Sequence, residues 1–283
     1  MRFTLALALA LAKGGFMTTI RQPAVAGTFY PARPDELRRM VHEFVDTAVS
    51  LPPLAAPPKA IIAPHAGYIY SGPIAGAAYA ALRPLADTIQ RVVLLGPAHT
   101  LPVRGLAAPD AEAFRTPLDD VPLDRAALDK ILALPQVQVL DAAHAREHGL
   151  EVHLPFLQTI LGPFKLVPLV VGDVTPEEVT AVLDQLWGGP ETLIVISSDL
   201  SHYHDYATAQ ALDAATAQAI EQLIPANMGR ESACGRLPIQ GLLLAARQRD
   251  LTVHRLDLRN SGDTAGRKDR VVGYGAWALT AYS

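Results

Sequence analysis

The stretch Lys59-Ala-Ile-Ile-Ala-Pro-His-Ala-Gly-Tyr-Ile-Tyr-Ser71 decides the fold that we predict for this chain. It opens with the apolar run Ala60 to Ala63, which has the size and β-branched content of a buried strand. Pro64 ends the run, because proline has no N–H to contribute to a sheet ladder. His65 therefore stands just past the end of a strand.

A helix is predicted to follow over Ile74 to Leu82. Ser71 or Gly72 is a suitable cap, and Pro73 suits the first helical turn, where its missing N–H costs nothing. Strand, turn and helix together form half of a βαβ unit. Ligands of open α/β sheets bind outside the carboxyl ends of the strands, so His65 occupies a position typical of functional residues.

The same pattern occurs at two further strand ends. Arg91-Val-Val-Leu-Leu-Gly-Pro-Ala-His99 is an apolar run that leads to His99, and Thr192-Leu-Ile-Val-Ile-Ser-Ser-Asp199 leads to Asp199 and then His202. A single histidine after a strand is most often held by a backbone hydrogen bond. Three strand ends that each carry a metal-ligand or acid–base residue favour a shared site, although spacing alone does not show that the side chains converge.

Composition narrows the class of protein. Half of the 283 residues are hydrophobic, 18% are charged, and the formal net charge is −4. Without a dense Lys/Arg block, a protein that binds the nucleic-acid backbone is not expected. Cys234 is the only cysteine, so an internal disulfide is excluded and a cytoplasmic location is expected. Strands alternate with helices, which predicts a single three-layer α/β/α domain with a mixed, largely parallel central sheet.

The segment Glu147-His148-Gly149-Leu150-Glu151-Val152-His153 admits two interpretations. It is not the zinc motif His-Glu-x-x-His, because its two histidines are five residues apart. If the chain is helical from Gly149, Glu147 and Glu151 share one face. This pattern indicates either a polar helix start or carboxylates that orient metal-binding histidines.

The sequence resembles the Memo family, whose bacterial members are called AmmeMemoRadiSam system protein B, in seven motifs that occur in the family's order. The resemblance runs from about residue 21 to the C-terminus. The motifs are RQPAVAGTFYP, AIIAPHAGYIYSG, LLGPAH, EHGLEVHLPFLQ, VPLVVGD, SSDLSHY and CGRLPIQGLL.

The resemblance implies a fold similar to that of the class III extradiol dioxygenases, which use non-haem Fe(II). It also implies a metal site made of two histidines and a cysteine, as in human Memo. Matched motif by motif, these ligands are His65, His99 and Cys234. The SSDLSH motif supplies Asp199 and His202, and His202 matches the region where the dioxygenases keep a catalytic base.

One departure from the dioxygenases bears on the metal, because Cys234 stands where they have a glutamate. A thiolate favours copper(I), zinc or iron over hard cations. The resemblance thus implies Fe(II) first, copper second and zinc third, with an unknown small molecule as substrate. It also implies a functional link to radical-SAM and AMMECR-type proteins, and neither nucleic acid nor membrane is expected as a partner.

The N-terminus has two interpretations. The apolar run Phe3 to Leu11 has the length of a signal-peptide core and is too short to span a bilayer. The resemblance begins near Arg21, which favours Met17 as the start. We therefore expect residues 1–16 to be an extension and residues 17–283 to form the domain.

Three functions fit the sequence. The first is a mononuclear non-haem iron or copper enzyme with redox or dioxygenase-like chemistry. The second is a metal-free thiol hydrolase, with Cys234 as nucleophile and Asp199 as the residue that orients a histidine base. The third is a non-catalytic module that binds a metal or a peptide. Both residues also have a purely structural interpretation. Cys234 would then be a small buried hydrophobic side chain, and Asp199 would be the N-cap of a helix.

Overall fold

The computed structural model describes residues 19–48 and 54–281. The expectations about residues 1–16 and Met17 lie outside this part of the chain. The strands of the described residues are β1 Ile20–Arg21, β2 Pro58–Ala63, β3 Arg91–Pro97, β4 Leu106–Ala108, β5 Ala113–Arg115, β6 Asp120–Pro122, β7 Val137–Val139, β8 Lys165–Val171, β9 Thr192–Ser197, β10 His202–His204, β11 Leu251–Asn260 and β12 Val271–Ala281. The α-helices are α1 Pro34–Asp46, α2 Tyr68–Ala80, α3 Arg125–Ile131, α4 Asp141–Ala145, α5 His148–Glu151, α6 Leu154–Ile160, α7 Pro176–Leu186, α8 Tyr206–Glu221 and α9 Arg236–Arg247.

Most of the strands form one nine-stranded mixed sheet, as predicted. The strand order is β10-β12-β2-β9-β3-β8-β4-β7, and β11 pairs with β12. The central strands β2, β9, β3 and β8 are parallel to one another, whereas the pairings of β12 and the β4–β8 pairing are antiparallel. Helices surround this sheet in an α/β arrangement, and β1, β5 and β6 form a separate small sheet.

The central strands form because their sequences are almost continuously apolar. Parallel strands are covered on both faces, so they need such runs rather than an alternating pattern. The run Ala60 to Ala63 and the run Leu193 to Ile196 are fully buried, and so is most of β3. These strands constitute the core on which the site residues stand.

Helix α2 begins earlier than the sequence predicted. It starts at Tyr68 after the N-cap Gly67, and Pro73 lies inside it rather than in its first turn. Proline in a helix interior removes one backbone hydrogen bond, here the bond to the carbonyl of Ile69.

The register of the parallel strands brings three chain segments to one edge of the sheet. Ala63 pairs with Ser197, and Leu95 pairs with Ile196. The residues that follow β2, β9 and β3 therefore leave the sheet at the same level. This alignment places His65, Asp199 and His99 at a common carboxyl edge, as expected for ligand sites of open α/β sheets.

Candidate metal site

His65, His99 and His148 form a compact cluster at this edge. One ring nitrogen from each histidine lies within 4.8 Å of the other two. The ring centroids of His99 and His148 are 4.6 Å apart in a stacked arrangement, and that of His65 is 5.0 Å from that of His99. Three imidazoles at this separation are a donor set that iron, copper or zinc accepts.

His65 is held with a defined nitrogen facing the cluster. Its Nδ1 lies 2.6 Å from the Ser197 hydroxyl, and that hydroxyl donates its own hydrogen to the carbonyl of Gly149. Nδ1 must therefore carry the proton and donate, which leaves a lone pair on Nε2. Burial, followed by the charges of His99 and His148, places the pKa of His65 well below its usual value. His65 is therefore neutral, the form that binds a metal.

Glu147 plays the corresponding role for His99. One carboxylate oxygen accepts from His99 Nδ1 at 2.7 Å, and the other accepts from the His99 backbone N–H at 2.8 Å. Burial alone would raise the pKa of Glu147, but the hydrogen bonds from His99 and Gly149 outweigh it and lower the pKa to about 2. Glu147 is thus a buried carboxylate that leaves Nε2 of His99 free, as metal-binding histidines require.

His148 is the member of the cluster that the sequence analysis did not assign as a ligand. It begins α5, and its Nδ1 lies 3.6 Å from the same Glu147 oxygen. Burial, then the charge of His99, lowers its pKa. The sequence signal for this ligand is the pair Glu147-His148 directly before a predicted helix. In the folded chain Gly149 packs tightly beside them, since an added Cβ there would lie 3.1 Å from Glu147 Oε1 and 3.4 Å from His99 Cε1.

Cys234 lies on the His65 side of the cluster. Its Sγ is 3.4 Å from His65 Nε2, and it accepts from the backbone N–H of Asp199 at 3.3 Å. Burial, then the charge of Asp199, raises the pKa of the thiol to about 12. The structure therefore brings Cys234 to His65, while the group of mutually close ligand atoms comprises His65, His99 and His148.

Asp199 and His202 are the remaining candidate residues. Their arrangement differs from a base that is hydrogen-bonded to an orienting carboxylate. Asp199 Oδ1 accepts from the backbone N–H of His65 at 2.8 Å, and no hydrogen bond joins Asp199 to His202 in the described residues. The N-cap of α8 is Asp205 rather than Asp199. Burial raises the pKa of Asp199, opposed by the hydrogen bond from His65. His202 begins β10, which pairs with β12 through Val271 and Val272.

Glu151 fixes the N-terminal segment against the site. Its carboxylate, which is fully buried, pairs with Arg21 and accepts from the backbone N–H groups of Ala24 and Val25 at 2.7 and 3.0 Å. The Tyr30 hydroxyl also donates to it. Of the two carboxylates that the sequence placed on one face, Glu147 orients a histidine and Glu151 anchors a chain segment.

That anchored segment forms part of the wall of the site. The ring centroid of Phe29 is 4.9 Å from that of His148, and the Phe29 carbonyl accepts from the N–H of Tyr68, the first residue of α2, at 2.8 Å. Tyr203, which follows His202 on β10, is 62% exposed, adopts a positive φ of 64° and packs under the guanidinium of Arg270 at 4.4 Å. The cluster is therefore bordered by the aromatic ring of Phe29.

The fold and the site together define an α/β protein with a histidine cluster suited to a metal ion at the carboxyl edge of its sheet. The sequence model of the family described as Memo-like protein matches residues 21–278. The chain belongs to the Memo family, and this confirms the resemblance inferred from the motifs. No helix in residues 19–48 or 54–281 has the length and apolar character needed to cross a bilayer.

Relatives from distant organisms match nearly the whole chain. MEMO1 family proteins of Aquifex aeolicus and Aeropyrum pernix are 36% and 37% identical over 270 and 281 residues, covering 90% and 91% of this chain and 97% and 98% of theirs. That of Sulfolobus acidocaldarius is 33% identical, with 90% and 97% covered. An uncharacterized protein of Escherichia coli K12, JW3007, has a solved structure with a TM-score of 0.49 at 13% identity, covering 77% of this chain and 98% of that chain.

Proposed function

We propose that this Memo family protein binds one transition-metal ion through His65, His99 and His148 and is a redox or dioxygenase-like enzyme for a small molecule. Fe(II) is the preferred ion, followed by copper and then zinc, and the proposed location is the cytoplasm. A functional link to radical-SAM and AMMECR-type proteins is part of the proposal, on the family resemblance alone. A bound iron or copper ion would supply one-electron chemistry at the cluster.

The observation that carries the proposal is the fixed tautomer of two cluster histidines. Ser197 and Glu147 each accept a hydrogen from Nδ1, which leaves Nε2 of His65 and His99 as lone-pair donors. Outer partners of this kind orient metal-binding imidazoles and increase their basicity. Cys234 is a further ligand in the proposal, because its Sγ lies 3.4 Å from His65 Nε2.

His202 is the proposed base. It lies on β10, which pairs with β12, and within the described residues its ring nitrogens make no hydrogen bond. Imidazole is the side chain most often used as a general base. Asp199 has a positioning role in this scheme, because its carboxylate holds the backbone of His65 at the strand end.

The metal-free thiol hydrolase is less well supported. A nucleophilic cysteine needs a lowered pKa, whereas burial and the charge of Asp199 raise the pKa of Cys234 to about 12. The non-catalytic binding module has one observation in its favour, namely the exposed apolar side chains of Ile69, Tyr70 and Tyr203 beside the site. Oxygen consumption with catechol-like compounds or ascorbate would separate an enzyme from such a module.

Elemental analysis of anaerobically purified protein tests the proposal. Wild type and His42→Ala, a control at an exposed histidine on α1, should carry equal stoichiometric metal. His65→Ala should lose it, and Cys234→Ala should bind it more weakly, because the thiolate is one of the proposed ligands. His202→Ala should keep the metal and lose turnover by about 10²- to 10⁴-fold. Wild-type protein that takes up no iron, copper or zinc would contradict the proposal.

A further inference from the structure

Tyr203 has a backbone conformation that its place in a strand does not explain. Its φ is 64°, in the left-handed region that residues with a Cβ rarely adopt. Leu223 and Asp250 also have a positive φ, but they lie shortly after the C-terminal ends of α8 and α9, where this conformation commonly ends a helix. Tyr203 instead lies in the middle of β10, where the pairing with β12 shifts register between His202 and His204.

This shift is a β-bulge in which Tyr203 is the extra residue. Glycine is the usual occupant of a bulge position with a positive φ, because it has no Cβ. A tyrosine there is strained, and strain of this kind is concentrated at ligand clamps and other functional positions. Core packing does not account for the tyrosine, since its side chain is 62% exposed. The exposed ring is therefore a candidate for contact with another molecule.

Two cations lie on tyrosine rings beside this bulge. The Arg270 guanidinium is 4.4 Å from the centroid of the Tyr203 ring, and Lys268 Nζ is 4.7 Å from that of the Tyr206 ring. The two pairs are neighbours, because the Tyr206 N–H donates to the Lys268 carbonyl at 3.1 Å and β10 pairs with β12 at Val271, directly after Arg270. We call Tyr203, Tyr206, Lys268 and Arg270 the tyrosine–cation patch.

The carboxylates of the same segments are already engaged by the chain itself. Asp269 pairs with Arg267 at 3.0 Å, and Asp205 accepts from backbone N–H groups as the N-cap of α8. Asp263 accepts from the Tyr206 hydroxyl and from a backbone N–H. Neither cation of the patch forms an ion pair with a carboxylate of residues 19–48 or 54–281. Both positive charges are thus available to an anionic group outside the chain.

We propose that the tyrosine–cation patch is a docking surface for an acidic segment of a partner protein. Carboxylates of that segment pair with Arg270 and Lys268, and its side-chain stems pack on the exposed ring of Tyr203. Tyrosine and arginine are enriched in protein interfaces, where an aromatic anchor beside a charged group is typical. Nucleic acid is the less suitable anion, because the whole chain has a net charge of −4. The inference does not depend on the proposed metal site.

The test uses the full chain and the fluorescein-labelled peptide Glu-Glu-Leu-Glu-Glu, followed by fluorescence anisotropy at low salt. Wild type should bind with a Kd below about 1 mM, and Arg270→Gln should bind about 3- to 10-fold more weakly. Tyr203→Gly should lose affinity by a similar factor, yet keep or raise the urea midpoint, because glycine relieves the strain at this φ. Arg249→Gln is the matched control, since Arg249 also lies on an aromatic ring, that of Trp187 at 4.1 Å, but pairs with Asp184. Its affinity should stay within about twofold of wild type.

Each other result overturns the inference. Wild type that does not bind the peptide, or that binds Gln-Gln-Leu-Gln-Gln equally well, has no site for an acidic segment. Unchanged affinity in Arg270→Gln or in Tyr203→Gly would place the peptide elsewhere, and an equal loss in Arg249→Gln would show a general effect of charge. A loss of affinity after chelator treatment would place the peptide at the metal cluster. Tighter binding of a labelled oligothymidylate would identify nucleic acid as the occupant, and a lower urea midpoint of Tyr203→Gly would identify a structural ring.

Discussion

Substituting Glu151 by glutamine should destabilise the protein strongly, because it breaks a buried ion pair on one side only. The side chains of Arg21 and Glu151 are 6% and 0% exposed. Glutamine has the same shape but no charge, so Arg21 would remain buried without its counter-ion. Breaking a buried pair in this way costs about 3–5 kcal/mol.

The hydrogen bonds of Glu151 place the expected loss in free energy of unfolding in the upper part of that range. Its two oxygens accept from the N–H groups of Ala24 and Val25 and from the Tyr30 hydroxyl, in addition to Arg21. Glutamine keeps one acceptor oxygen and presents an NH₂ group to donors on the other side. Each donor left without an acceptor adds about 1–3 kcal/mol before the segment relaxes.

Urea unfolding followed by far-UV circular dichroism measures the effect. Asp46→Asn is the matched control, because Asp46 pairs with Arg83 at the surface, where the two side chains are 60% and 49% exposed. The control should change the free energy of unfolding by about 0–1 kcal/mol.

A double variant separates the charge effect from packing. Arg21→Met combined with Glu151→Gln removes both charges and keeps one acceptor oxygen for the donors of residues 24–30, so it should be more stable than Glu151→Gln alone. Hydrogen exchange should also be faster over residues 24–30 in Glu151→Gln, because the anchor of that segment is lost. A cost of Glu151→Gln no larger than that of Asp46→Asn would refute the reasoning.

Two further predictions concern stability. Burial lowers the pKa of His144 from 6.5 to about 4, so its contribution to stability is complete above pH 6.5 and is lost as the pH falls to about 4, in total about 3 kcal/mol. Unfolding free energies across this window should fall less steeply for His144→Gln, and parallel pH profiles would contradict the assignment. Gly76→Ala should cost about 1–3 kcal/mol in urea unfolding, because its Cβ would lie 2.5 Å from the carbonyl oxygen of Phe44. Gly229→Ala, with nothing within 4 Å of the new Cβ, should be close to neutral, and equal costs at both glycines would count against this packing argument.

The strand ends that carry the site could be identified from the sequence because their signals are local. Apolar runs followed by Pro64 or by Gly96-Pro97 predicted β2 and β3, and both strands end where those residues stand. His65 and His99 were assigned for the same reason. The predicted start of α2 was wrong by several residues. Local preference places Pro73 in the first turn of a helix, whereas the folded protein accommodates it inside α2.

Convergence of the site residues was decided only by the tertiary structure. His148 reaches His65 because α5 packs against the end of β3, and no spacing in the sequence encodes that contact. The different roles of Glu147 and Glu151 also depend on which hydrogen-bond donors the fold brings to each carboxylate. The sequence alone determined which residues leave the sheet at its carboxyl edge, since hydrophobic periodicity and proline act within a few residues. Which of them face one another depends on strand register and helix packing, which join residues far apart in the chain.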